Sequence, residues 1–324
     1  MSMSARISPC LLPKIRAAQA ASLLGAASLA VALFFLPSPA RAAVYISATG
    51  GAGPDGYRST QVRANADLFD SPISASVFRF QSSSSSDSIS QSGQALNWKV
   101  TKLAIVGLDH NNQDNGLVDI SGNAVRLALN LDTLWSGTLG TRLDMKRDAS
   151  AYRFNSLPAA VQNDTINQTA NSLGLSQNIA ASLTIYAAHD QYSYDKDPTR
   201  AAILLMRTAP RRFFSTSSAL LAVPDSTNLF GIAWHPQDEL TVDVSSSKTQ
   251  TQLEQEQHTK RLGLDYQLTD HFNFSAAVSR VTSTAVVTRQ TYFAAIPALT
   301  IPIGTTVIPA SNDTYSELGV SWTF

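Results

Sequence analysis

Along much of this 324-residue chain, apolar and polar residues alternate with a period of two, which restricts those stretches to β-strands. In Arg261-Leu-Gly-Leu-Asp-Tyr-Gln-Leu268, one face carries Leu262, Leu264, Tyr266 and Leu268. The other carries Arg261, Gly263, Asp265 and Gln267. The same pattern places Leu240, Val242 and Val244 opposite Thr241, Asp243 and Ser245. It places Phe230, Ile232 and Trp234 opposite Gly231, Ala233 and His235, and Val125, Leu127, Leu129 and Leu131 opposite Arg126, Ala128 and Asn130. Near residue 140 it sets Leu139, Thr141 and Leu143 against Gly140, Arg142 and Asp144. Helical spacing accounts for none of these.

Alternation alone also fits a soluble sandwich, so the connections must separate the two folds. Short ones are expected near Asp70-Ser71-Pro72, Lys99-Val100, Asp132-Thr133, Ser176-Gln177, Pro236-Gln237-Asp238 and Thr269-Asp270. Between them fall long ones, near 110–118, 147–165, 191–224, 249–257 and 284–311. Tight turns at one end and long loops at the other mark a transmembrane up-and-down β-barrel. The pattern predicts an all-β, antiparallel barrel of about fourteen strands, with twelve or sixteen also fitting. Its short turns would face the periplasm and its long loops the exterior. Phe69, Trp98, Trp135, Trp234, Tyr266, Phe272, Phe274, Trp322 and Phe324 lie near the short turns, as an interfacial aromatic girdle requires.

Lys+Arg and Asp+Glu are both 24, a balance that argues against a nucleic-acid binder. Only 15 % of residues are charged. The first 42 residues read as a cleaved signal peptide. Arg6, Lys14 and Arg16 precede an apolar run from about Ala21 to Leu36, and Ala40-Arg41-Ala42 fits the small-x-small cleavage rule. The run is shorter than the roughly 20 residues a membrane helix needs. Residues 43–324 then form the barrel, with strand signal from about Val44, which leaves no room there for a plug. The single cysteine, Cys10, sits inside the leader, so the barrel is expected to hold no disulfide and no thiol chemistry.

The last ten residues, Tyr315-Ser-Glu-Leu-Gly-Val-Ser-Trp-Thr-Phe324, place Leu318, Val320, Trp322 and Phe324 on one face. Here the chain resembles the Gram-negative outer-membrane β-barrel, or porin-like, superfamily. Its terminal assembly signal has a polar residue, a glycine two places on, and apolar or aromatic residues third-last and last. Glu317, Gly319, Trp322 and Phe324 fill these positions. The resemblance implies residence in the cell outer membrane, recognition by the barrel-assembly machinery, contact with outer-membrane lipid and lipopolysaccharide, and both termini in the periplasm. The sequence leaves the oligomeric state open and ties its middle to no narrower family.

The inward faces would line the lumen with charges of both signs: Arg63, Arg126, Arg142 and Arg261 among Asp67, Asp144, Asp243, Asp265 and Glu317. Charges in a barrel wall require water or an opposite charge, so these are the pore-lining candidates. Catalysis is not expected. Asp109-His110, His189-Asp190 and His258 lie near external strand ends, yet parity sends His110 and His189 outward and Asp109 and Asp190 inward, apart from a shared cleft. No metal or cofactor is expected either. Asn111-x-Gln113-x-Asn115-Gly116 lacks the leading Asp and distal Glu of a calcium loop, and a turn on Asn115-Gly116 explains it better. The segment from Lys196 to Leu221 carries the basic cluster Arg200, Arg207, Arg211 and Arg212. It could constrict the lumen, pair outward with lipopolysaccharide phosphates, or be a solvated extension. The apolar segment 285–310 could extend two strands or line a portal for a hydrophobic solute.

Three functions compete. About fourteen strands lie between the filled eight-strand barrel and the open sixteen-strand pore, so a narrow passive or weakly selective channel for small polar solutes leads. A non-conducting accessory barrel, partnering a secretion or polysaccharide-export assembly, is second. An enzyme with a rim active site is third.

Overall fold

In the computed structural model the described residues are 43–68, 71–85, 88–116, 118–131, 140–154, 165–198, 223–288, 292–293, 300–301, 306–308 and 310–324. Fourteen strands form one closed antiparallel barrel, each hydrogen-bonded to its chain neighbours and the last to the first. They are β1 (Val44–Ala52), β2 (Arg58–Asp67), β3 (Ile73–Ser83), β4 (Ser88–Lys99), β5 (Ala104–Asp114), β6 (Val118–Asn130) and β7 (Thr141–Phe154). Next come β8 (Ile166–Ala180), β9 (Leu183–Tyr194), β10 (Pro224–Gln237), β11 (Leu240–Thr251), β12 (Glu256–Thr269) and β13 (Phe272–Ser283). Four short strands follow: β14 (Val286–Thr288) pairs with β17 (Thr306–Ile308), and β15 (Tyr292–Phe293) with β16 (Thr300–Ile301). Strand β18 (Ser311–Thr323) then closes the barrel, running from Tyr45↔Thr323 to Ala52↔Ser316. Closure leaves no unpaired edge, the condition for a sheet to cross a bilayer.

The wall is one residue thick, so register assigns every side chain to a face. One face carries large apolar groups that the chain leaves uncovered: Leu262 is 55 % exposed, Val278 50 % and Leu318 59 %. Neighbouring strands align them, as in Val244↔Leu262↔Val278 and Ala276↔Leu318. So large an uncovered apolar surface needs lipid against it, which makes this the outer face. At the short-turn end it finishes in aromatics. Trp322 packs edge-on against Phe272 at 5.7 Å and beside Phe324 at 6.0 Å, while Trp98, Trp234 and Tyr266 share the level. Phe69 and Trp135 lie outside the described residues.

The apolar belt is short. On β13 it runs from Phe272 to Val278 before Arg280 interrupts it, and on β12 Lys260 follows Leu262. Six residue steps of about 3.4 Å give roughly 20 Å along a tilted strand, hence roughly 15 Å of height at ordinary barrel tilt, against about 25 Å in typical barrels. Above the belt the strands continue as a polar ladder. This explains why two stretches with loop-like composition are strand instead. Only 252–255 separates β11 from β12, and 115–117 separates β5 from β6. The longest connections are 155–165, 195–223 and 284–310, all at this end. The β8–β9 turn falls at Ala181-Ser182 rather than Ser176-Gln177, because Asn178 still pairs with Thr184.

Candidate functional site: the lumen

The inner face is built on glycine. Gly231 lies directly across from Tyr186, and Gly93 from Phe78. A Cβ on either glycine would fall within the facing ring. Each ring therefore lies flat along the wall over a glycine, an arrangement that also protects the exposed glycine backbone. Placed so, Tyr186 donates its hydroxyl proton to Asp243 Oδ2 at 2.6 Å, and Phe78 stands 5.6 Å from the Arg63 guanidinium. Gly319 is similarly crowded, by Ser275 on β13 and Thr49 on β1, so the closing seam has no room for a larger residue.

All nine sequence-derived lumen candidates share this inward face. Arg63 and Asp67 project from β2, Arg126 from β6, and Arg142 and Asp144 from β7. Asp243 projects from β11, Arg261 and Asp265 from β12, and Glu317 from β18. They group as local sets. Arg142 donates to both oxygens of Asp144, at 2.8 and 2.9 Å. Arg126 donates to Asn97. Arg261 reaches across β13 to Glu317 at 3.6 Å. These groups remain wet: side-chain exposure is 44 % for Arg142, 37 % for Asp144, 44 % for Arg261 and 51 % for Glu317.

A second cluster escaped the sequence reading because its members come from different strands. Lys146 on β7 lies 3.8 Å from Asp109 on β5 and 3.6 Å from Asp148 on its own strand, and Ser150 donates to Asp148 at 2.5 Å. With Gln91, Asn111, Tyr152 and Tyr192, the residues Lys146, Asp148 and Ser150 border a cavity of about 370 Å³ toward the long-loop end. The available signal was parity, which already turned Asp109 inward. Counted over the described strands, the inner face holds Arg63, Lys99, Arg126, Arg142, Lys146 and Arg261. Against them stand Asp67, Asp109, Asp144, Asp148, Asp190, Asp243, Asp265, Asp313 and Glu317. Over the described strands the inner face is net acidic although the whole chain is neutral.

The histidines His110 and His189 lie elsewhere. His110 bonds Asn123 at 2.9 Å and His189 bonds Asn228 at 2.8 Å, both on the outer face, while Asp109 and Asp190 point inward. The Asn115-Gly116 segment is a tight turn. Gly116 has φ +75°, its N–H meets Asp114 at 2.6 Å, and the Val118 N–H meets the Asn115 side-chain oxygen at 2.7 Å. No trio of metal-ligating side chains occurs among the described residues. The basic cluster Arg200, Arg207, Arg211 and Arg212 lies outside the described residues. Glu317, Gly319 and Trp322 stand on the closing strand and Phe324 directly after it. The Phe324 N–H is bonded to the Val44 carbonyl at 2.9 Å.

No protein-family model and no curated protein matches the sequence. Among solved structures it is similar to the CymD monoaromatic hydrocarbon channel, with a TM-score of 0.48 at 8 % identity, covering 87 % of this chain and 88 % of that one. It is similar to an anion-selective porin from Comamonas acidovorans at 0.41 and 8 %, covering 87 % and 98 %, and to the KdgM porin at 0.41 and 8 %, covering 86 % and 99 %. The likeness is one of barrel architecture and goes no further.

Proposed function

We propose that this protein is an outer-membrane channel for small polar solutes, passive and weakly cation-preferring. The observation that carries the reading is the wet inner face, where Arg142, Asp144, Arg261 and Glu317 keep 37–51 % of their side-chain surface open to water inside a closed wall. Charges that merely braced a filled barrel would be dry and fully paired. The excess of carboxylates raises the local concentration of cations and disfavours anions. Glycines under flat rings keep the wall thin where bulky side chains would otherwise meet in mid-lumen.

Under this proposal residues 1–42 are removed after Ala42, both chain ends face the periplasm, and Glu317, Gly319, Trp322 and Phe324 serve as the signal read by the assembly machinery. The accessory-barrel reading differs in one measurable respect, the absence of conductance. Planar-bilayer recordings of purified protein test the two. Discrete steps with a reversal potential on the cation side are expected. Neutralising Arg142 and Arg261 together moves that potential further toward cations, because the carboxylates then dominate. No steps in the parent protein would leave the channel reading without support.

A further inference from the structure

The outer face carries a second charged feature that a channel does not need. Lys260 and Arg280 sit directly opposite one another on β12 and β13, both exposed and both outward. Like charges placed so repel. No carboxylate from the flanking strands offsets them: Ser246 faces Lys260 from β11, and Thr314 faces Arg280 from β18. The nearest acid on this face, Glu256, is held by Lys248 at 2.7 Å with His258 at 3.7 Å. Arg280 uses Nε on Asn312 at 2.9 Å, which fixes the guanidinium plane. Directly below are Leu262 and Val278, the top of the apolar belt. The order repeats on the opposite wall, where a groove of about 700 Å³ has Ala75, Leu96, Leu108 and Val125 as its floor and His110 and Arg147 as its rim.

We propose that Lys260 and Arg280 hold the phosphate of a phosphorylated glycolipid of the surrounding leaflet, with its acyl chains on Leu262 and Val278. A dianion between the two cations turns their repulsion into two charge-assisted contacts, and its height at the edge of the apolar belt is that of a lipid headgroup. The site requires the barrel to sit in a bilayer but not to conduct, so its failure and that of the channel reading are separable.

The test uses the refolded barrel in neutral detergent, with lipid A, dephosphorylated lipid A or inorganic phosphate added. Lipid A raises the melting temperature of the parent, and neither other probe does at equal concentration. Lys260→Gln raises the melting temperature in detergent alone, since repulsion is relieved, yet weakens the lipid A effect roughly tenfold in titration, as loss of one charge-assisted contact implies. Arg280→Lys, which keeps the charge, retains most of the response. An equal gain with dephosphorylated lipid, or with inorganic phosphate, overturns the proposal. So does a parent that lipid A does not stabilise, or a Lys260→Gln variant that responds like the parent.

Discussion

The two faces of β12 differ more than most pairs of domains do, although they are separated by one peptide unit. Outward stand Leu262, Leu264 and Tyr266; inward stand Arg261, Gly263 and Asp265. Each face follows the solvent it meets. Lipid cannot solvate a charge, so the outer face is apolar until the belt ends. Water in the lumen can, so the inner face tolerates charges that are only loosely paired. In such a wall stability and selectivity are encoded on alternate residues and can vary independently.

The strongest way to break that comparison is to move one charge by one residue. Leu264→Lys places an ammonium in lipid and is expected to cost about 2–4 kcal/mol. Gly263→Lys points into the lumen, its Cβ in ordinary contact with Asp243 and the Arg261 guanidinium, and should fold close to the parent level. Urea unfolding in lipid vesicles measures both, and equal damage would mean that the faces are exchanged. A volume change tests the inner face alone. Gly231→Val drives Tyr186 off the wall and Gly319→Val crowds the β1–β18 seam. Each should cost about 1–3 kcal/mol, the usual range for overpacking. Because the displaced Tyr186 ring enters the lumen, Gly231→Val should also lower conductance, whereas Gly319→Val should act on the yield of heat-modifiable folded barrel. Truncation of Phe324 should lower that yield too.

The smallest effect lies where the wall ends. Just past β9, Asp195 accepts the backbone N–H of Asn167 at 2.8 Å and its side-chain N–H at 2.6 Å. These bonds hold its carboxyl below the usual range. A carboxyl of lowered pKa contributes its full stabilisation above the unfolded value, near ~4, and loses it as pH falls through the lower folded one. A lower protection factor for the Asn167 amide on acidification, with protection factors in the belt unchanged, is the expected outcome.

Much of this was legible from the sequence because the period of a strand is fixed. Parity alone turned Arg142, Asp243 and Glu317 inward and His110 and His189 outward. The closing strand was recognisable from four residues. What the sequence hid follows from two physical causes. Above the belt both faces meet water, so residues 249–251 and 256–257 have the composition of a loop while remaining paired strand. Within the lumen, Lys146–Asp109 and Tyr186–Asp243 join strands that are not consecutive in the chain, and a period-two pattern carries no information about such partners. The one local sign was a glycine set directly across from an aromatic, which is apparent only once the register is known.

The short belt has a consequence beyond the barrel itself. An apolar height of roughly 15 Å is well below the hydrocarbon thickness of an ordinary bilayer, so lipids beside the wall must compress and splay, at a cost of fractions of a kcal/mol for each ångström of mismatch. The cost is elastic and is borne by the membrane. Two such proteins lying side by side deform one shared annulus instead of two, which draws them together without a single protein–protein contact. Their crowding in the membrane would then follow bilayer thickness, and thinner lipids should disperse them.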